Sequence, residues 1–297
     1  MSLDDLTNLR LAGPESTEDL ARRIVHDKTA KTRRHEQELE AATLPTRRVG
    51  SVQYLNAVPL TRGLEDQILF ATPAKLAELL RAGELDAALV SVTEVLFNDG
   101  YDVLDGIAVA SLGEVQSVFL AHRVPLEEVR QVHCDTASLT SVNLLTVLLA
   151  ERGLQPEFVP LAAYADAASH DAVLIIGDPA IDFLRSPQPY PHKIWDLGSA
   201  WSELTGLPFV YAVWALRRGV DTQSLRRVLR KARTFGLETL DEIIRTRTEY
   251  DLDFRRDYLG WNIHYHLGAD EKRGLSKFIE LLARHKPGPI YHPHYVD

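Results

Sequence analysis

One cysteine, Cys134, stands in 297 residues. A single thiol excludes an internal disulfide and every zinc site built from several cysteines. The glycine-rich signatures of nucleotide binding are missing as well, with no Walker-type run and no G-x-G-x-x-G. No nucleophile elbow and no Cys/His pairing at workable spacing is present, so nucleotide-dependent and covalent mechanisms lose their usual sequence support. A basic excess is also lacking, because 33 Lys and Arg oppose 42 Asp and Glu for a formal net charge of −9. Such a field repels nucleic acid and anionic lipid, so an anionic ligand must be caught by local donors. No apolar run reaches the length of a membrane span. Residues 1–46 carry Arg22, Arg23, Lys28, Lys31, Arg33 and Arg34 among many acids and lack the apolar core of an export signal. Together with the lone cysteine this gives a cytoplasmic expectation. Repeats of fixed period and low-complexity tracts are absent.

What the chain does have is core-forming material, 45% apolar residues, enough for two lobes. Residues 16–40 combine helix-forming composition with sparse Leu, Ile and Val, which fits a charged surface helix or a partly disordered extension. From Arg48 short β runs alternate with helices: strand 48–53, helix near 58–64, strand 68–70, helix 73–82, strand 86–91. Alternation of this kind signals parallel strands. The helix at 73–82 has Thr72 as N-cap, Pro73 in its first turn, leucines at 76, 79 and 80, and Gly83 as its stop. A second α/β unit follows Pro125, with strand 129–134, helix 139–152, and strands 157–159 and 172–177. The long apolar strand 208–216 then brings the chain back, and 222–247 and 270–285 are helical by periodicity. The expected organisation is an extension at 1–46, a first lobe at 47–120, a second at 121–211 and a return to the first at 212–297.

Several candidate site residues lie at strand tips. Gly50-Ser51-Val52-Gln53-Tyr54-Leu55-Asn56-Ala57-Val58-Pro59-Leu60 is a short apolar strand that runs into a polar tip and stops at proline. Ligands gather beyond the carboxyl ends of parallel strands, so Tyr54 and Asn56 stand where a small molecule would bind. Asp86-Ala87-Ala88-Leu89-Val90 ends likewise on Ser91. Asn56 and Ser91 would grip an alcohol or a carboxylate; the plainer alternatives are a turn at Asn56 and a helix cap at Ser91. Asp135-Thr136-Ala137-Ser138-Leu139-Thr140-Ser141 clusters hydroxyls and free N–H groups at a helix N-terminus, an anion trap or simply a cap by Ser138 or Thr140. Ser117 would reach a cleft if its strand face points inward. Asp178 follows a buried strand and could be a base, a lobe-closing contact or a helix cap. His264-Tyr265-His266 and His292-Pro293-His294 give no metal expectation, since an i, i+2 pair does not share a helix face and no acid or cysteine stands at the customary spacing.

Taken together, Gly50-Ser51-Val52, Tyr54-Leu55-Asn56, Pro59-Leu60, Asp86 through Ser91, Ser138 through Ser141, Ile176-Gly177-Asp178 and Leu207-Pro208-Phe209 through Trp214 resemble the chorismate dehydratase family of the futalosine route to menaquinone, over about 48–285. The resemblance implies an α/β fold of two lobes similar to type II periplasmic binding proteins, with mixed sheets flanked by helices and a ligand cleft between the lobes. It implies a cytoplasmic carbon–oxygen hydro-lyase without cofactor, which removes water from chorismate to give 3-[(1-carboxyvinyl)oxy]benzoate. On this expectation Asn56 and Ser91 are catalytic, while Ser51, Tyr54, Ser117, Thr136, Ser138, Thr140, Ser141 and Asp178 contact the substrate. The base stays open between the substrate's own carboxylate and Asp178. The partner expected is the small anion chorismate, with neither nucleic acid nor membrane; a homo-oligomer is left open. Alternatives are a dihydroxynaphthoate synthase of the same pathway, a non-catalytic small-anion-binding protein, and the sensing domain of a regulator, for which 1–46 shows no convincing helix-turn-helix.

Overall fold

Strand register divides the chain between two mixed sheets. The structure, a computed structural model, describes residues 17–42, 44, 48–135, 139–186 and 191–297. In chain order the strands are β1 (Val49–Ser51), β2 (Leu69–Phe70), β3 (Ala87–Ser91), β4 (Tyr101–Ser111), β5 (Val118–His122), β6 (Gln131–Cys134), β7 (Glu157–Pro160), β8 (Ala172–Ile176), β9 (Lys193–Asp196), β10 (Phe209–Arg217) and β11 (Tyr295–Val296). The first sheet runs β11-β4-β10-β3-β1-β2 and the second β7-β6-β8-β5-β9. Around β1 the neighbours are parallel, as the alternation predicts, whereas β10 is antiparallel to both β3 and β4. The second sheet repeats this plan: β6 is parallel to β7 and β8, and β5 is antiparallel to β8 and β9.

Local sequence explains the first sheet's flanking helix. Thr72 Oγ1 accepts the Lys75 N–H at 3.4 Å, Pro73 opens the helix Pro73–Arg81, and Gly83 turns the chain with φ +74°. Leu76 and Leu80 on its inner face are fully buried, and each contributes about 2 kcal/mol through the hydrophobic effect. Elsewhere the backbone itself packs closely: a Cβ at Gly236, in helix Gln223–Glu238, would stand 1.8 Å from the Pro59 carbonyl oxygen.

The chain leaves the first sheet after Ser111 and returns to it at Phe209. Residues 120 and 211, where the sequence suggests lobe boundaries, lie inside β5 and β10, and the changes of sheet occupy 112–117 and 197–208. Asp196 fastens these two connections together. Its partly buried carboxylate caps the helix Leu197–Thr205 through the Ser199 N–H at 2.9 Å and accepts the Gln116 N–H at 2.8 Å and the Val115 N–H at 3.1 Å. Burial raises its carboxyl above the usual range while those three donors pull the other way. Gln116, held in this way, adopts φ 62°, a conformation that non-glycine residues seldom take.

The N-terminal segment is helical over Thr17–Glu40. Its last turns dock on helix Gln223–Glu238: Leu39 is buried, His35 Nδ1 lies 2.6 Å from Glu238, and Lys31 and Lys231 pair with Glu238 and Glu38 at 3.0 and 2.9 Å. Residues 20–31 are exposed, which fits their charged composition.

Candidate active site

Between the sheets lies a cleft lined by both. The first sheet contributes Tyr54 and Asn56 beyond β1, Leu89, Val90 and Ser91 at the end of β3, Val109 from β4, and Tyr211 and Ala212 from β10. From the other side come Val118, Ser141, Ile176 and Gly177, while Val115 and Ser117 lie on the connection and Ile263 on the C-terminal return. Apolar walls with a few convergent polar groups are the usual make-up of a small-molecule site. Among the described residues no Asp, Glu, His, Lys or Arg lines the cleft.

Asn56 sits in a single 3-10 turn, Leu55–Ala57, and its Nδ2 donates to the Tyr258 hydroxyl at 3.1 Å. Tyr258 is fully buried, and burial holds its hydroxyl protonated far above neutrality. The amide is thereby pinned by one N–H, leaving its carbonyl oxygen and second N–H for a ligand.

Ser91 does not cap the helix Val92–Phe97. Its hydroxyl donates to Thr140 Oγ1 at 2.6 Å and accepts the Thr140 N–H at 3.1 Å. Thr140 Oγ1 also accepts the Thr93 N–H at 3.1 Å and shares its hydroxyl with Thr93 Oγ1 at 3.1 Å. Thr140 is thus a buried link behind the cleft, not one of its lining residues. Ser141, the next residue of helix Leu139–Ala150, does face the cleft.

Ser117 faces inward, and its buried Oγ makes no hydrogen bond of good geometry, its polar neighbour being the Tyr258 hydroxyl. A buried unpaired hydroxyl is unfavourable by about 1–3 kcal/mol, so this one is ready for a bound polar group. Tyr54 lays its ring over Gly177, where a Cβ would stand 3.0 Å from the ring and where φ is +64°. Glycine meets both demands. Burial, with Asp135 and Asp178 adding, pushes the Tyr54 hydroxyl up to about 12.

Asp178 neither lines the cleft nor caps its own helix, Gly177–Leu184. Its Oδ1 accepts the Leu55 N–H at 3.1 Å, which joins the end of β8 to the tip of β1. Burial raises its carboxyl to about 6, with the Leu55 N–H opposing. Ser51 is wholly buried, and its hydroxyl donates to the Val52 carbonyl at 3.3 Å instead of reaching the cleft. Thr136 and Ser138 lie outside the described residues.

Tyr211, Ile263 and Tyr258 are absent from the sequence-based set. Tyr211, whose hydroxyl bonds Ser111 at 3.1 Å, is embedded in a strand that reads as core throughout. Ile263 follows a π-helical turn, Tyr258–Asn262, which no local pattern announces. Asp196 had a usable signal, an acid between a strand and a helix, the N-cap position.

A family model described as menaquinone biosynthesis matches residues 47–284. A curated relative from Thermus thermophilus, a chorismate dehydratase, is 35% identical, with 82% of this chain and 98% of the relative covered. Another, from Campylobacter jejuni and also a chorismate dehydratase, is 27% identical over 76% of this chain and 89% of its own. Among solved structures, protein AF1704 from Archaeoglobus fulgidus superposes with TM-score 0.63 at 18% identity, covering 80% of this chain and 96% of its own. The alkanesulfonate-binding protein SsuA from Xanthomonas axonopodis pv. citri gives 0.61 at 17% identity, covering 84% and 96%. These two likenesses establish the bilobal binding-protein fold.

Proposed function

The chain belongs to the menaquinone-biosynthesis family, and from that premise we propose that its cleft takes chorismate and eliminates water to give 3-[(1-carboxyvinyl)oxy]benzoate. Loss of the ring proton at C3 leaves charge that spreads through the diene to the ring carboxylate. Departure of the C4 hydroxyl then completes an aromatic ring. Donors preorganised around that carboxylate stabilise the developing dienolate. Ser117, whose hydroxyl makes no well-formed hydrogen bond, and Ser141 at the start of helix Leu139–Ala150 are the groups suited to it.

The observation that carries the mechanism is the absence, among the described residues, of any carboxylate, imidazole or amine along the cleft. The enolpyruvyl carboxylate of chorismate takes the C3 proton in our reading and then gives it to the departing C4 oxygen, so that water leaves and no cofactor is needed. Asn56 presents its free amide groups to that carboxylate. Ser91 has its proton committed to Thr140, so its lone pair accepts from the C4 hydroxyl and turns that oxygen towards the proton the carboxyl delivers. Orientation then supplies much of the rate. Closure of the two sheets about 112–117 and 197–208 would exclude water. The single cysteine, buried Cys134, fits a cytoplasmic setting. Chorismate with its enolpyruvyl carboxylate converted to the amide tests the proton route: it should bind yet not turn over, and turnover at the normal rate would require a base from the protein.

A further inference from the structure

His264, His266 and Glu271 come together at the start of helix Ala269–His285, outside the cleft, with their ligand atoms all within 4.8 Å of one another. An i, i+2 spacing separates rings on a helix but places them on one side of an extended chain. His264 is extended, forming an isolated antiparallel bridge with Ala110, and the two imidazoles stack at 5.3 Å between centroids. Glu271 is buried, 3% exposed. Its Oε2 takes the Gly268 N–H at 2.9 Å, which fixes the carboxylate and leaves Oε1 facing His266 Nε2 at 3.1 Å and His264 Nδ1 at 3.7 Å. The second distance is too long for a hydrogen bond, and His264 Nδ1 is buried without a hydrogen-bond partner. Two imidazoles and a carboxyl group, the last oriented by a backbone donor, form a donor set for a borderline divalent ion. Bonds of about 2.0–2.1 Å at a tetrahedral centre set the ligand atoms about 3.3 Å apart, near the 3.1 and 3.7 Å that separate Glu271 Oε1 from the two imidazoles.

We propose that His264, His266 and Glu271 bind one divalent transition-metal ion of the zinc class. The half-exposed His266 side leaves room for water as a further ligand. Binding there would fasten the segment carrying Asn262 and Ile263 to helix Ala269–His285. Asn262 in turn donates to the Glu114 carbonyl at 2.9 Å, so the ion would brace a connection between the sheets.

The full-length chain, stripped with chelator and dialysed, is titrated with Zn2+ by calorimetry and with Co2+ by visible absorption. One tight site is expected, with the strong d–d bands of a low-coordinate cobalt centre and a raised melting temperature. His266→Ala, at a half-exposed position that tolerates truncation, should weaken the site by at least about 100-fold, and Glu271→Gln should do likewise. Equal affinity in wild type and His266→Ala, or no tight site in wild type, would overturn the proposal.

Discussion

The Ser91 hydroxyl donates to Thr140 Oγ1 across 2.6 Å, tying the last residue of β3 to the first turn of a helix that flanks the other sheet. Because the Thr140 N–H returns to Ser91 Oγ at 3.1 Å, the serine is fixed in both orientation and proton direction. Thr140→Val removes the acceptor for Ser91 and for the Thr93 N–H. Unfolding in denaturant should show a loss of about 1–3 kcal/mol, and kcat should fall more than KM rises. Thr140→Ser should restore both.

Ser117 should separate function from stability. Removing a buried hydroxyl whose contact with Tyr258 falls short of a good hydrogen bond costs the free protein little, so Ser117→Ala is expected to change its stability by less than about 1 kcal/mol. Product binding, measured by calorimetry, should weaken by about tenfold, the equivalent of one hydrogen bond.

Asp178 acts as a latch in this account and not as the base. With its carboxyl raised to about 6 by burial, the folded chain binds a proton more firmly than the unfolded chain does. Its contribution to stability is therefore greatest below the ordinary Asp value near 4 and declines as pH rises to about 6, by at most about 3 kcal/mol. Asp178→Asn retains an acceptor for the Leu55 N–H and should flatten that decline in denaturation curves taken across the window. Turnover near neutral pH should change only by a small factor, whereas loss of a general base lowers rates by about 10²–10⁴.

Gly177→Ala should be costly twice over. The left-handed φ adds about 1–2 kcal/mol, and the new methyl would sit 3.0 Å from the Tyr54 ring. A lowered melting temperature together with weaker product binding is expected; weaker stability with unchanged binding would show that the Tyr54 position does not matter.

Much of this frame can be read from local sequence. Thr72, Pro73 and Gly83 announce one helix from end to end, and Tyr54 and Asn56, in the turn beyond β1, and Ser91, at the end of β3, line the cleft on the side to which the strands point. What escapes is whatever depends on partners distant in sequence. Ser51 and Ser91 both end apolar strands, yet one hydroxyl turns to its neighbour's carbonyl and the other to Thr140, 49 positions away. Asp178 could be placed at a sheet edge, but its partner Leu55 is 123 positions distant. The histidines at 264 and 266 carry no metal expectation in sequence, because neither the extended chain there, paired with Ala110, nor the approach of Glu271 is announced by local spacing.

The most direct measurement is to mix the purified chain with chorismate, without nucleotide or added metal, and follow the products by chromatography and mass spectrometry. The account predicts an aromatic product lighter than chorismate by one water, formed faster than in protein-free controls. Chorismate recovered unchanged from folded protein would contradict it.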